Sequence, residues 1–182
     1  MDLKIEKSIP IIKEMLTDRE YDNITDINKD NIYIYAERDT QKVIVSFIKN
    51  PKSILGKGYI KSRTHINKEF DLNETDKIIF VLCFLHDGSI PSKFLFNDNN
   101  IEVFNINRLL FNIMKHRLSP LYKKLKSDEI EDLKIKWDLN NISKISIDDP
   151  ASKHFDMKIG DIFKIIRNTN NAYQYITYRR CI

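Results

Sequence analysis

Cysteine, glycine, proline and tryptophan are all scarce in this 182-residue chain, with two Cys, four Gly, five Pro and one Trp. Cys83 lies inside an apolar run and Cys181 one residue from the end, so both read as reduced thiols used as small hydrophobes rather than as a disulfide framework. His65, His86, His116 and His154 are scattered, and no cysteine stands near enough to complete a zinc motif. Gly56-Lys57-Gly58 lacks both the Gly-Lys-Ser/Thr of a P-loop and the third glycine of a dinucleotide site, and reads as a flexible turn. No apolar run approaches the length of a membrane span, and Met1 to Lys7 is too charged for a leader, so the expectation is a soluble intracellular protein. Internal repeats and low-complexity segments are missing as well. The formal charge is only +4, which excludes a histone-like polycation. Lys, Ile, Asn and Asp are abundant, as AT-rich coding in a virus or parasite would produce.

Ile5, Ile9, Ile12, Met15 and Leu16 recur at helical spacing and predict an N-terminal amphipathic helix. Pro10 either forces that helix to start near Ser8 or kinks it. Ile32–Tyr35 and Val43–Ile48 flank a polar Glu37–Gln41 and predict a hairpin, while Lys77–Leu85 suits a central strand buried on both faces. A short helix over Ser92–Phe96 and a strand over Ile101–Phe104 follow. Leu109–Pro120 reads as extended. Ser127 is expected to cap a helix carrying Ile130, Leu133 and Trp137 as its apolar stripe. Between Lys49 and Lys68 six basic residues occur with no acidic one, a candidate basic loop for phosphate contact.

The last stretch is the most informative. Asp149-Pro150 is a helix start, and Gly160 in Lys158-Ile-Gly-Asp161 supplies the positive φ of a tight turn. Ile162–Arg167 and Tyr173–Cys181 read as strands joined by the Asn-rich Asn168–Ala172, in which Asn170 or Asn171 takes any positive φ. Lys164, Arg167, Arg179 and Arg180 predict a basic strand face on this hairpin.

Asp149-Pro150, Lys158-x-Gly160, Lys164-Ile-Ile-Arg167 and Tyr175-x-x-Tyr178-Arg179 follow one another in the order and spacing of the C-terminal domain of RNA polymerase subunit five, a family with eukaryotic and archaeal members. The chain resembles that family, and the likeness extends upstream through Leu109–Pro120 and the acidic helix from Ser127 to Trp137, fading before Ile101. It departs from the family pattern at Ser143, Ile159 and Tyr173, at Glu20 in place of a helix-ending glycine, and at Tyr122 where the family has a histidine.

The resemblance implies an α+β protein of two domains: an N-terminal α/β jaw domain over 1–112, with a mixed sheet and a nuclease-like fold, and a C-terminal α+β assembly domain over 113–182 ending in a β-hairpin. It implies a non-catalytic subunit of a multisubunit DNA-directed RNA polymerase, cellular or viral, that needs no cofactor or metal of its own. Its partners would be the largest polymerase subunit, other polymerase subunits and, weakly, downstream duplex DNA, in a hetero-oligomer without membrane contact. Its place would be the nucleus, or cytoplasm or virion for a viral member. The expected docking residues are Pro120, Asp149, Pro150, Gly160, Lys164, Arg167, Tyr175, Tyr178 and Arg179, and the expected DNA-facing ones Lys52, Lys57, Lys61 and Arg63. The rival expectations are a nuclease-fold DNA-processing enzyme, which needs a Glu-x-Lys that this chain nowhere contains, and a stand-alone nucleic-acid-binding module, which the low charge disfavours.

Overall fold

A computed structural model describes residues 2–28, 32–86, 89–94, 96, 98–168 and 174–182. The expected turn over Asn168–Ala172 lies beyond them except for Asn168. The protein is α+β, and the chain divides into two compact units, Met1–Phe111 and Asn112–Ile182.

In the first unit, α1 (Leu3–Asp18) starts on the Asp2 carboxylate, which accepts the Lys4 N–H at 3.0 Å. Pro10 sits inside it, giving up one in-helix hydrogen bond without displacing the start to Ser8. Without a glycine, Glu20 itself takes the left-handed conformation that ends the helix (φ 64°), and the Tyr21 N–H returns to the Leu16 carbonyl at 3.0 Å. Left-handed φ costs an L-residue about 1–2 kcal/mol, glycine entropy about 0.5–1 kcal/mol, and the exposed Glu20 charge contributes little. Glu20→Gly is therefore expected to stabilise the chain by about 0.5–1 kcal/mol, read as a rise in the urea midpoint at unchanged m. A fall would mean that the left-handed turn is not what Glu20 costs the fold.

A five-stranded sheet follows in the order β1 (Asp22–Asn28), β2 (Ile32–Arg38), β3 (Gln41–Ile48), β4 (Lys77–Leu82), β5 (Ile101–Asn105). The β1–β2 and β2–β3 pairs are antiparallel, and β3–β4 and β4–β5 are parallel. The predicted hairpin is β2–β3, and the predicted central strand is β4, whose six residues are all buried. Two-residue alternation sends Val43, Val45, Phe47, Ile79 and Val81 to the α1 face, and Ile44, Ile48, Ile78, Phe80 and Leu82 to the opposite face.

Several segments of the chain depart from the sequence expectation. Lys49–Lys68 is not a loop: after a 3-10 turn at Pro51–Ile54 the chain forms α2 (Lys57–Phe70). Its apolar stripe is thin, with only Ile66 fully buried, and it ends on Asp71 in the left-handed region (φ 48°). Ser92–Phe94 forms a single 3-10 turn in place of the expected helix to Phe96. Leu109–Pro120 is not extended, because the Asn105 and Asn112 side chains accept the amides of Asn107 and Met114 at 3.0 and 2.9 Å and start 3-10 turns at Ile106–Leu109 and Ile113–Lys115.

The second unit holds a four-stranded sheet in the order β6 (Leu121–Lys124), β8 (Ile162–Asn168), β9 (Gln174–Cys181), β7 (Ser143–Ile145). The β6–β8 and β8–β9 pairs are antiparallel, and β7–β9 is parallel. One face packs Phe163, Ile165, Cys181 and Ile145 against Ala151 of α4 (Pro150–His154). The other packs Ile162 against Leu125, Ile142 and Leu133 of α3 (Ser127–Lys136). Ser127 is the first helical residue rather than the cap. The cap position is Lys126, whose N–H goes to the Glu129 carboxylate at 3.1 Å. Trp137 also leaves the expected stripe: the helix stops at Lys136, Trp137 turns extended, and its side chain is 60% exposed.

Candidate docking and nucleic-acid surfaces

Strand register settles which side chains of the terminal hairpin share a face. Lys164 lies opposite Tyr178 on one neighbour and Lys123 on the other, whereas Arg167 lies opposite Tyr175 and Phe163 opposite Arg179. Because the side-chain period is two, Lys164 and Arg180 occupy one face while Arg167 and Arg179 occupy the other. The single basic face expected from sequence is thus two half-faces. Arg167 and Arg179 flank Tyr122, whose phenol is pushed up chiefly by burial and, less, by Asp149, with both arginines pulling it down.

On the Lys164 face, Lys164 and Tyr178 join Trp137, Lys136 and Leu133 in a shallow cleft of about 190 Å³ beside α3. One step along the strands, Leu121, Ile166 and Ile176 stand directly opposite one another across β6, β8 and β9. Leu121 is 66% exposed and Ile176 42%. Three aliphatic side chains aligned in a row, two of them exposed, form an open apolar strip among the described residues, continuous with a basic row, Lys123–Lys164. None of the three belongs to the docking set expected from sequence. The alternation Lys164-x-Ile166 and Ile176-x-Tyr178 carries part of the signal, but Leu121 joins it only once β6 pairs with β8.

The remaining docking candidates have visible duties inside the fold. The Asp149 carboxylate accepts the Ala151 N–H at 2.8 Å, Pro150 opens α4, and Gly160 turns the chain at φ 98°. The Gly160 N–H reaches the Cys181 carbonyl at 2.9 Å, and the Ile147 N–H donates to the Ile182 carbonyl, also at 2.9 Å, which ties down the end of β9. Pro120, half-buried, leads into β6.

In the first unit, Lys57, Lys61 and Lys68 fall four and seven residues apart on α2, one line along the helix about 16 Å long. Lys52 stands in the preceding 3-10 turn. Lys52, Lys57 and Lys61 make no ion pair among the described residues. Arg63 differs: Asp98 takes its guanidinium at 2.8 Å, a carboxylate that sequence distance conceals.

Two further candidates for chemistry can be placed. The Cys83 thiol is pushed up to about 11, chiefly by burial, and burial likewise raises Cys181, so neither is a thiolate at neutral pH. Among the described residues no three His, Cys, Asp or Glu side chains come together to hold a metal ion. No helix among them is long and apolar enough to cross a membrane.

Residues 111–181, which contain the whole four-stranded sheet, match the family model "RNA polymerase Rpb5, C-terminal domain". The chain is 26% identical, over 99% of its length and 96% of the relative's, to the subunit rpabc1 of DNA-directed RNA polymerases I, II and III of Dictyostelium discoideum. It is 27% identical over 95% of its length to a putative DNA-directed RNA polymerase subunit of Invertebrate iridescent virus 6, covering 97% of that protein. It is 29% identical over 87% of its length to DNA-directed RNA polymerase subunit 5 of Acanthamoeba polyphaga mimivirus, covering 70% of it. Cellular and viral relatives thus align with both units, and the family model coincides with the terminal sheet: residues 111–181 are similar to the C-terminal domain of RNA polymerase subunit five.

Proposed function

We propose that the chain is a non-catalytic subunit of a multisubunit DNA-directed RNA polymerase, that its second unit docks on the largest polymerase subunit, and that its first unit forms part of a jaw near downstream DNA. The observation that carries the docking is the uncovered row Leu121–Ile166–Ile176 beside Lys123, Lys164 and the exposed Trp137. An aliphatic strip with an aromatic and cations at its rim suits a large partner with apolar and acidic surface, since aromatic and aliphatic anchors provide most of the binding energy at such interfaces. The lysine line of α2 supports the second contact, a weak and salt-dependent attraction for phosphates that reads no sequence.

The test keeps the hairpin intact. Removing 162–182 takes Phe163 and Ile165 out of the core, so loss of assembly would follow from unfolding alone. Leu121→Glu/Ile176→Glu instead changes two exposed side chains. Each interface anchor is worth about 2 kcal/mol or more, so the double variant is expected to lose more than about tenfold in co-purification with the largest polymerase subunit while keeping the parent melting temperature. Wild-type recovery of the complex by a folded double variant would refute this docking surface.

A further inference from the structure

The first unit contains a cleft that shares only Lys61 with the lysine line of the polymerase reading. It opens between the carboxyl end of β3 and α2, with a volume of about 390 Å³. Its floor is apolar, formed by Tyr33, Ile48 and Ile66, with the buried Ser46 hydroxyl among them. Its rim is polar and cationic: Asn50 and Ser53 come from the connection after β3, Lys61, Ser62 and His65 from α2, and Lys49 from the strand end. No Asp or Glu lines it among the described residues. Glu69 stands behind His65, 3.3 Å from Nδ1, and Lys61 has no ion-pair partner among the described residues. The Ser62 hydroxyl donates to the Ser53 carbonyl at 2.7 Å, so the two walls are fastened to each other.

The cleft lies beyond the carboxyl end of β3, the strand at which the sheet passes from antiparallel to parallel pairing. The volume lies within the small-ligand range, and an apolar floor with a few convergent polar groups is the usual make-up of such a site. A duplex backbone would instead be met along the whole lysine line of α2, of which only Lys61 also lines the cleft.

We infer that this cleft binds a mononucleotide-sized phosphate ester, its flat apolar part over Tyr33 and Ile66 and its phosphate against Lys61 and His65. The site is independent of the docking surface, which lies on the other unit. No covalent step is involved.

The test is titration of the full chain, followed by amide NMR and calorimetry, with AMP, GMP, adenosine, inorganic phosphate and a short DNA duplex. AMP or GMP is expected to bind saturably with Kd below about 1 mM, to shift the amides of Asn50, Ser53 and Lys61, and to outcompete adenosine and inorganic phosphate. Lys61→Glu and His65→Ala, both at exposed positions, are each expected to weaken nucleotide binding at least about tenfold by removing a charge-assisted contact, with the melting temperature unchanged. Absence of saturation at millimolar nucleotide, equal affinity for adenosine, or indifference to Lys61→Glu each overturns the proposal. So does perturbation of the cleft by duplex DNA alone, which would assign Lys61 to the strand-facing lysine line. None of these outcomes bears on co-purification with the polymerase, so the two proposals fail separately.

Discussion

Glu102→Ala is expected to cost about 3–5 kcal/mol, the penalty for breaking a buried ion pair by removing one partner. The Glu102 carboxylate takes both guanidinium nitrogens of Arg19, at 2.9 and 2.8 Å, and lies 3.7 Å from Lys77 Nζ. The Arg19 and Lys77 side chains are 2% and 7% exposed. Alanine at 102 would leave two desolvated cations on adjoining elements, the end of α1 and the start of β4, with their shared counter-charge gone. For a chain of this size the loss corresponds to roughly 2–4 °C of melting temperature per kcal/mol, a fall on the order of 10 °C.

The companion variant separates charge from packing. Arg19→Met/Lys77→Met/Glu102→Leu replaces the whole network with apolar side chains, and such replacement is often neutral or stabilising. The triple variant is therefore expected to be more stable than Glu102→Ala alone. If the single change proved the milder of the two, the network would be holding α1 to the sheet by its geometry rather than merely satisfying its own charges.

This network also shows where sequence reasoning stops. Arg19 and Glu102 are 83 positions apart, and nothing local to either marks the pairing. By contrast, the elements written in local chemistry were legible: the α1 stripe, the β2–β3 hairpin, the five-residue apolar run of β4, the Asp149-Pro150 start and the Gly160 turn. The missed strands share a cause. β1 carries a register shift between Asp22 and Thr25, with Asn23 at φ 50°, and its two apolar side chains, Ile24 and Ile27, stand three apart on opposite faces, so neither face shows an apolar run. β6 and β7 have four and three residues and exist only because β8 and β9 offer them partners. The candidate surfaces were legible to the same degree. The basic residue types of the hairpin and of Lys49–Lys68 were visible, but their division between two faces, the Arg63–Asp98 pair and the Leu121–Ile166–Ile176 row all depend on pairing across the fold.

Gly58 turns that lesson into a test with opposite signs. As a glycine in the first turn of α2 it should by propensity be improved by alanine, by up to about 1 kcal/mol. The structure demands the reverse. A Cβ at Gly58 would stand 2.0 Å from the Lys52 carbonyl oxygen and 3.1 Å from the carbonyl carbons of Lys52 and Ser53, all backbone atoms that no rotamer change can move. Gly58→Ala must push the 3-10 turn at Pro51–Ile54 away from α2, and overpacking of this kind costs about 1–3 kcal/mol or more. Its neighbour Gly56 has φ 49° with ψ −119°, a conformation that favours glycine, but open space around it, so Gly56→Ala meets backbone strain alone, about 1–3 kcal/mol. Urea unfolding should rank wild type above both variants. Because Lys52 and Ser53 move with the turn, Gly58→Ala should also shift the amides along the Ser53 wall of the cleft, while Gly56→Ala should leave them in place. A stabilised Gly58→Ala would mean that Gly56-Lys57-Gly58 is the pliant turn its sequence suggests, and that the close approach of turn and helix does not hold α2 in place.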